Sequence, residues 1–164
     1  GPMEAIVSAT ASALAEASPG KPAAQIVVVC ASNAKLKAKL EAATWPVPVT
    51  ALGYVDRMSD LMQACDLLVT KAGPGTIAEA SIRGLPMLLY GYIPGQEAAN
   101  VDHVVDAGAG LFEPRVEALA TAIAGLLTTE RDRLAAMADR ARSLGRDRAT
   151  HDIVASILGE AEPH

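Results

Sequence analysis

A doubly wound α/β sheet is the fold class that this sequence predicts, and three observations predict it. Short apolar runs recur along the chain: QIVVVC at Gln25–Cys30, DLLVT at Asp66–Thr70 and PMLLY at Pro86–Tyr90. They are continuous rather than alternating, which is the pattern of parallel strands covered on both faces. Between them lie segments whose apolar residues repeat with helical spacing, and that alternation is the signature of βαβ units. The expected architecture is a Rossmann-like parallel sheet with helices on both faces, its ligand held at the carboxyl ends of the strands.

Each element follows in order. Met3–Ala17 has apolar Ile6, Val7, Ala11 and Leu14 on one helical face, and Ser18-Pro19-Gly20 ends that helix. Gln25–Cys30 is the first strand of this chain. Ser32-Asn33 offers a cap for a helix over Ala34–Ala42, and Val47–Thr50 reads as a second strand. Tyr54–Met58 is a turn, with Ser59 as N-cap of a helix to Ala64. After the third strand, Asp66–Thr70, a helix is expected over Thr76–Arg83, stopped by Gly84. Pro86–Tyr90 is the fourth strand, Gln96–Asp106 a helix and Gly110–Phe112 a fifth strand. Val116–Gly159 reads as two or three helices, one with Leu134, Met137, Ala141 and Leu144 as its buried stripe. The chain opens on a helix where this class would open on a strand, and no internal repeat is visible.

Bulk properties narrow the function. A chain of 164 residues, 51% hydrophobic and 20% charged, is about one domain with a proper core. A net charge of −5 argues against nucleic acid as a partner, since duplex affinity rests on Lys and Arg neutralising phosphates. Cys30 and Cys65 lie in apolar surroundings and read as buried, reduced thiols. No apolar run approaches the ~20 residues that span a bilayer, and no signal peptide is recognised. Gly1-Pro2-Met3 has two readings, the scar of a cleaved tag or native sequence with Pro2 at a helix start.

The chemistry concentrates in TKAGPGTIAEA, Thr70–Ala80. Gly73, Gly75 and Ala78 match G-x-G-x-x-A, yet the loop is not in the first βα unit and no acidic residue closes the next strand, so a nicotinamide dinucleotide is disfavoured. No Gly-Lys-Ser/Thr follows, so it is not a Walker loop either. Two readings stay open. The helix N-terminus near Thr76 can hold a phosphate, with Gly73 and Gly75 allowing close approach. Alternatively Thr76-Ile77-Ala78-Glu79 is a capping box in which Glu79 satisfies the helix's own N–H groups. A second polar cluster, PGQEAAN at Pro94–Asn100, opens the next helix at the same sheet edge. Gln96 and Asn100 fall one turn apart with Glu97 beside them, a set suited to a ligand with many hydroxyls.

The stretch GYVDRMSDLMQACDLLVTKAGPGTIAEASIRGLPMLLYGYIPGQEAANVDHVVDAGAGLF resembles the donor-binding half of monogalactosyldiacylglycerol synthases. These are inverting glycosyltransferases of family 28 with the two-domain GT-B fold, relatives of the bacterial enzyme that adds N-acetylglucosamine to the peptidoglycan lipid precursor. The likeness is dense from Gln25 to Phe112 and most specific in KAGPGTIAEA, RGLP and IPGQEAANV. It implies a single UDP-sugar donor-binding domain over 1–164, the C-terminal half of a GT-B fold with its first strand missing. It implies that the backbone of Val55 faces uracil, that Gly75 and Thr76 hold the diphosphate, and that Glu79 accepts from the ribose hydroxyls. Gln96 and Glu97 would hold the sugar, with Asn100 in support. Lys71 would either neutralise the diphosphate or pair at the surface. UDP-galactose is the implied donor and diacylglycerol the acceptor, with no cofactor, no metal and no catalytic residue in this stretch. The general base would lie in an N-terminal domain, and His103 reads as a structural or surface residue.

The resemblance also implies departures. The acceptor domain, the first strand and its glycine-rich loop are absent, so Gly1–Ala5 reads as native if the chain starts just past that loop. The chain alone is expected to be catalytically incompetent. Peripheral attachment is expected, at a plastid envelope or the cytoplasmic face of a bacterial membrane. Two rival readings are a stand-alone donor subunit of a split membrane-associated N-acetylglucosaminyltransferase and a non-catalytic nucleotide-binding domain. Arg131, Arg133, Arg140, Arg142, Arg146 and Arg148 could touch anionic lipid, but Glu130, Asp132, Asp139 and Asp147 among them favour a salt-bridged solvent face.

Overall fold

In the computed structural model, which describes residues 2–22 and 24–145, helices and strands alternate as the apolar pattern requires. Helix α1 (Pro2–Ala17) buries Ile6, Val7, Ala11 and Leu14, the face expected, and adds Thr10 to it. Strand β1 (Ile26–Val29) pairs in parallel with β2 (Val49–Leu52), Ile26 opposite Val49. Strand β2 thus starts two residues later than expected. Pro46 and Pro48 have no N–H to give a ladder, although Pro48 O accepts from Ile26 N–H at 2.9 Å. Helix α2 (Ala34–Ala42) is capped as expected, with the Asn33 side chain accepting from Leu36 N–H at 3.0 Å.

Helix α3 (Met58–Gln63) differs at its start. Arg57, not Ser59, is the N-cap: Arg57 O accepts from Asp60 N–H at 3.2 Å, which leaves Ser59 inside the first turn. Strands β3 (Leu68–Lys71), β4 (Met87–Gly91) and β5 (Gly110–Phe112) form a parallel ladder in that order. Helix α4 (Pro74–Arg83) ends where expected. Gly84 takes a left-handed φ of 64°, and its N–H reaches back to Ser81 O while Leu85 N–H reaches Ala80 O, a Schellman closure. Helix α5 (Ala98–Asp106) starts two residues later than expected. Helices α6 (Val116–Thr128) and α7 (Arg131–Leu144) complete the described chain; the expected helical continuation to Gly159, with Arg146, Asp147 and Arg148, lies outside the described residues.

The two-sided winding is visible in β4. Leu88 faces α1 and α6 in one cluster, while Met87 and Leu89 face α4 and α5 in another, and all three are 0% exposed. Val28 of β1 sits with Val7 of α1 and Leu40 of α2. Helices α1, α2 and α6 therefore cover one face and α3, α4 and α5 the other. Helix α7 crosses between them, with Leu134 and Met137 in the first layer and Ala141 in the second. The expected single sheet is interrupted, because β1–β2 and β3–β4–β5 are separate ladders. Both cysteines are free; Cys30 is buried but Cys65 only half-buried, and burial raises the pKa of each thiol.

Candidate functional site: a polar mouth at the carboxyl ends of β3 and β4

Helix α4 begins two residues before Thr76. Gly73 is its N-cap in extended conformation and Pro74 occupies the first helical position, where its missing N–H costs nothing. This corrects the capping-box reading: Thr76 lies inside the first turn, so Glu79 cannot close a box with it. The first helical bond runs from Ile77 N–H to Gly73 O at 3.0 Å. No side chain caps the helix, so the Gly75 and Thr76 N–H groups are left to solvent or a ligand. Gly75 is exposed with open space where a Cβ would stand. Glu79, four residues on, shares that exposed face of α4, while Ile77 and Ala80 point into the core.

The β4–α5 connection closes on the same mouth. Gln96 and Glu97 N–H both donate to Ile93 O, at 3.1 and 3.0 Å, and Glu97 Oε2 accepts from Ile93 N–H at 2.8 Å. Glu97 is thus the N-cap of α5, and Gln96 stands before the helix rather than on its first turn. Gln96 is exposed. The other carboxylate oxygen of Glu97 turns toward the α4 start: a Cβ on Gly73 would lie 3.8 Å from it and 4.0 Å from Thr76 Oγ1. A carboxylate, a hydroxyl and unpaired N–H groups meet there, around a residue that has no side chain.

Asn100 holds the two connections together. Its Nδ2 donates to Ala72 O at 2.9 Å, across 28 residues of sequence. The sequence pattern groups Asn100 with Gln96 as a ligand contact; the structure gives its amide nitrogen a bracing role. No local signal could have revealed a bond across that separation. Lys71 ends β3 exposed beside a register shift, and among the described residues no carboxylate pairs with it. Val55 lies half-buried in the loop after β2, at the carboxyl end of that strand. His103 is exposed on α5. Among the described residues no cluster of three or more His, Cys, Asp or Glu could hold a metal ion.

An open, mostly apolar groove of about 520 Å³ lies elsewhere, between α5, β5 and α6, lined by Val101, Val105, Leu111 and Phe112 among others. None of the mouth residues lines it. The arginines of α7 are tied to the helix itself. Arg133 pairs with Glu130 at 2.8 Å and Arg142 with Asp139 at 2.7 Å, the salt-bridged solvent face that their spacing favoured.

A parallel sheet with helices on both faces and a polar mouth at its carboxyl edge is the fold of nucleotide-dependent group-transfer enzymes as a class. The solved structures narrow it. The glycotransferase of kitacinnamycin superposes with a TM-score of 0.61 at 20% identity, covering 90% of this chain and 38% of that one. The glycosyltransferase VinC, solved in complex with DTDP, gives 0.60 at 17% identity over 92% and 38%. The fold is that of GT-B glycosyltransferases. Residues 3–153 match the family described as glycosyltransferase family 28 C-terminal domain, and the chain belongs to that family.

Among curated relatives, monogalactosyldiacylglycerol synthase 1, chloroplastic, of Arabidopsis thaliana is 42% identical over 94% of this chain and 29% of its own length. Probable monogalactosyldiacylglycerol synthase 3, chloroplastic, of Oryza sativa subsp. japonica is 41% identical over 96% and 31%. The chain spans about a third of the length of these relatives.

Proposed function

We propose that this chain is the donor-binding half of an inverting hexosyltransferase that moves galactose from UDP-galactose to a hydroxyl of 1,2-diacylglycerol. One observation carries the reading: the uncapped start of α4 and the Glu97 turn converge on Gly73, placing anion donors beside hydrogen-bond acceptors at one sheet edge. The names of the relatives supply the substrates. Gly75 and Thr76 N–H groups hold the diphosphate, with Gly73 leaving room for it and Lys71 adding charge. Glu79, one turn along the same face, accepts from the ribose hydroxyls. Gln96 and the free oxygen of Glu97 take the sugar hydroxyls, Asn100 keeps the two loops in register, and the Val55 backbone meets the base.

The reaction is a single displacement at the anomeric carbon, with UDP leaving as charge develops on its diphosphate. Oriented N–H groups at a helix start stabilise that charge without reorganising, and positioning supplies much of the rest. The base that takes the acceptor proton belongs to another part of the protein, together with diacylglycerol binding and peripheral contact with a plastid envelope or bacterial cytoplasmic membrane. No helix of the described residues is long and apolar enough to cross a membrane.

Calorimetric titration of the chain with UDP, UDP-galactose, UDP-glucose, UDP-N-acetylglucosamine and NAD tests the reading. UDP should bind and NAD should not. Glu79→Ala should weaken UDP about tenfold or more, as loss of a charged hydrogen bond implies. Gln96→Ala should leave UDP unchanged and erase any preference for galactose. UDP affinity that ignores the Glu79 change would overturn the ribose role, and the chain alone should release no galactose product.

A further inference from the structure

The two strand ladders lie under one helix. Val7 of α1 packs with Val28 of β1, while the adjacent Ile6 packs with Leu88 of β4 and against Val69 of β3. In β1, Ile26 and Cys30 N–H donate to Pro48 O and Leu52 O at 2.9 and 2.8 Å, both toward β2. Alternation then turns the N–H and C=O groups of Val27 and Val29 to the opposite edge. In β3, Leu68 and Ala72 N–H donate to Pro86 O and Gly91 O, both at 2.9 Å and toward β4, so Val69 and Lys71 present the opposite edge. Neither edge has a partner strand among the described residues. Burial agrees with this. Ile26, Val27, Val29, Leu68 and Val69 are half-buried, although such aliphatic runs belong to interior strands covered on every side. Edges meant to stay free are ordinarily blunted by charge, proline or a covering segment.

We propose that these two edges are the walls of a slot for one more parallel strand, supplied by polypeptide that leads into α1. Topology selects that occupant. β2 already holds the other edge of β1, and α1 lies on the same face as α2. A right-handed strand–helix–strand crossover through α1 therefore delivers its first strand beside β1 on the open side. The sheet order becomes β2-β1-slot-β3-β4-β5. Winding runs one way from the slot through β1 to β2, and the other way from β3 to β5. The reversal falls between the slot and β3, the place where open α/β sheets bind ligands, so the inserted strand would end beside the start of α4. The relatives, about three times as long as this chain, have the polypeptide to supply it.

The test is residue-resolved amide exchange, which needs no ligand and so stands apart from the nucleotide-sugar titration. Two proteins are compared: the chain of 164 residues, and the same chain carrying, ahead of Met3, the stretch that directly precedes the matched segment in the Arabidopsis relative. Val27, Val29, Val69 and Lys71 amides should exchange about 100-fold or more slowly in the extended protein. Val28 and Thr70, already turned toward β2 and β4, should change far less. The slot is refuted if the four amides are equally protected in both proteins or equally open in both. Protection in the shorter chain that rises with concentration alongside a dimer would also refute it, making a second copy the occupant. Should the extended protein not fold, the same stretch added as a free peptide must slow the same four amides, and no effect overturns the proposal.

Discussion

The β3–β4–β5 half and the β1–β2 half are built from similar aliphatic runs but are packed differently. In the first, Met87, Leu88 and Leu89 are fully enclosed, with helices on both faces and strands on both edges of β4. In the second, each strand buries a single residue, Val28 or Ala51, and its cover is α1 and α2. The polar mouth sits entirely on the well-packed half. A site that must hold a flexible, many-hydroxyl ligand gains from loops rooted in strands that cannot shift, and Asn100 ties those loops to each other.

The largest expected effect breaks that contrast directly. Leu88→Ala empties a space closed by β4, α1 and α6 and should cost about 3–4 kcal/mol in denaturant unfolding. Val28→Ala removes less surface, in a half that can collapse around the change, and should cost about 1.5–2 kcal/mol. Equal losses at the two positions would mean that the halves are equally consolidated.

A smaller effect, of opposite sign, belongs to the joint between the halves. Thr10 is 5% exposed on the α1 face that packs on α6, and its hydroxyl has no hydrogen-bond partner among the described residues. A buried hydroxyl left unpaired carries its full desolvation penalty. Thr10→Val keeps the shape and removes the group, so it should raise stability by about 1 kcal/mol with the fold unchanged. A loss on this change would show that the hydroxyl is satisfied in solution.

Much of this was legible along the chain because it is local. The aliphatic runs placed all five strands to within two residues, and Gly84 marked its helix end through the one conformation that glycine adopts cheaply. The start of α4 was misplaced because Pro74 and Thr76 carry competing signals. Proline at the first helical position prevailed, and it freed the N–H groups that a Thr76 cap would have ordered around itself. What could not be read was long-range: the Asn100 bond to Ala72, the approach of Glu97 to Gly73, and the break between β1 and β3. Each depends on which segments meet, and residue type alone does not encode that.

The smallest expected effect lies just past β5, on the packed half but outside its core. Glu113 accepts from Arg115 through its guanidinium, at 2.9 and 2.7 Å, and through its backbone N–H at 3.0 Å. The Arg115 hydrogen bonds hold the Glu113 carboxyl at a pKa of about 2, below the ordinary 4.5. A carboxylate with a depressed folded pKa stabilises the native state at pH above its unfolded value, and that contribution fades as pH falls through the folded value. The stability gap between the native protein and Glu113→Gln should therefore be constant above about pH 5 and shrink steadily toward pH 2. The pair is exposed, so the gap should be small and further reduced by salt. Urea unfolding of both proteins across that range checks it. A gap that ignores pH would mean that the pair's hydrogen bonds do not persist in solution, and would leave the acid sensitivity of the fold to its other carboxylates.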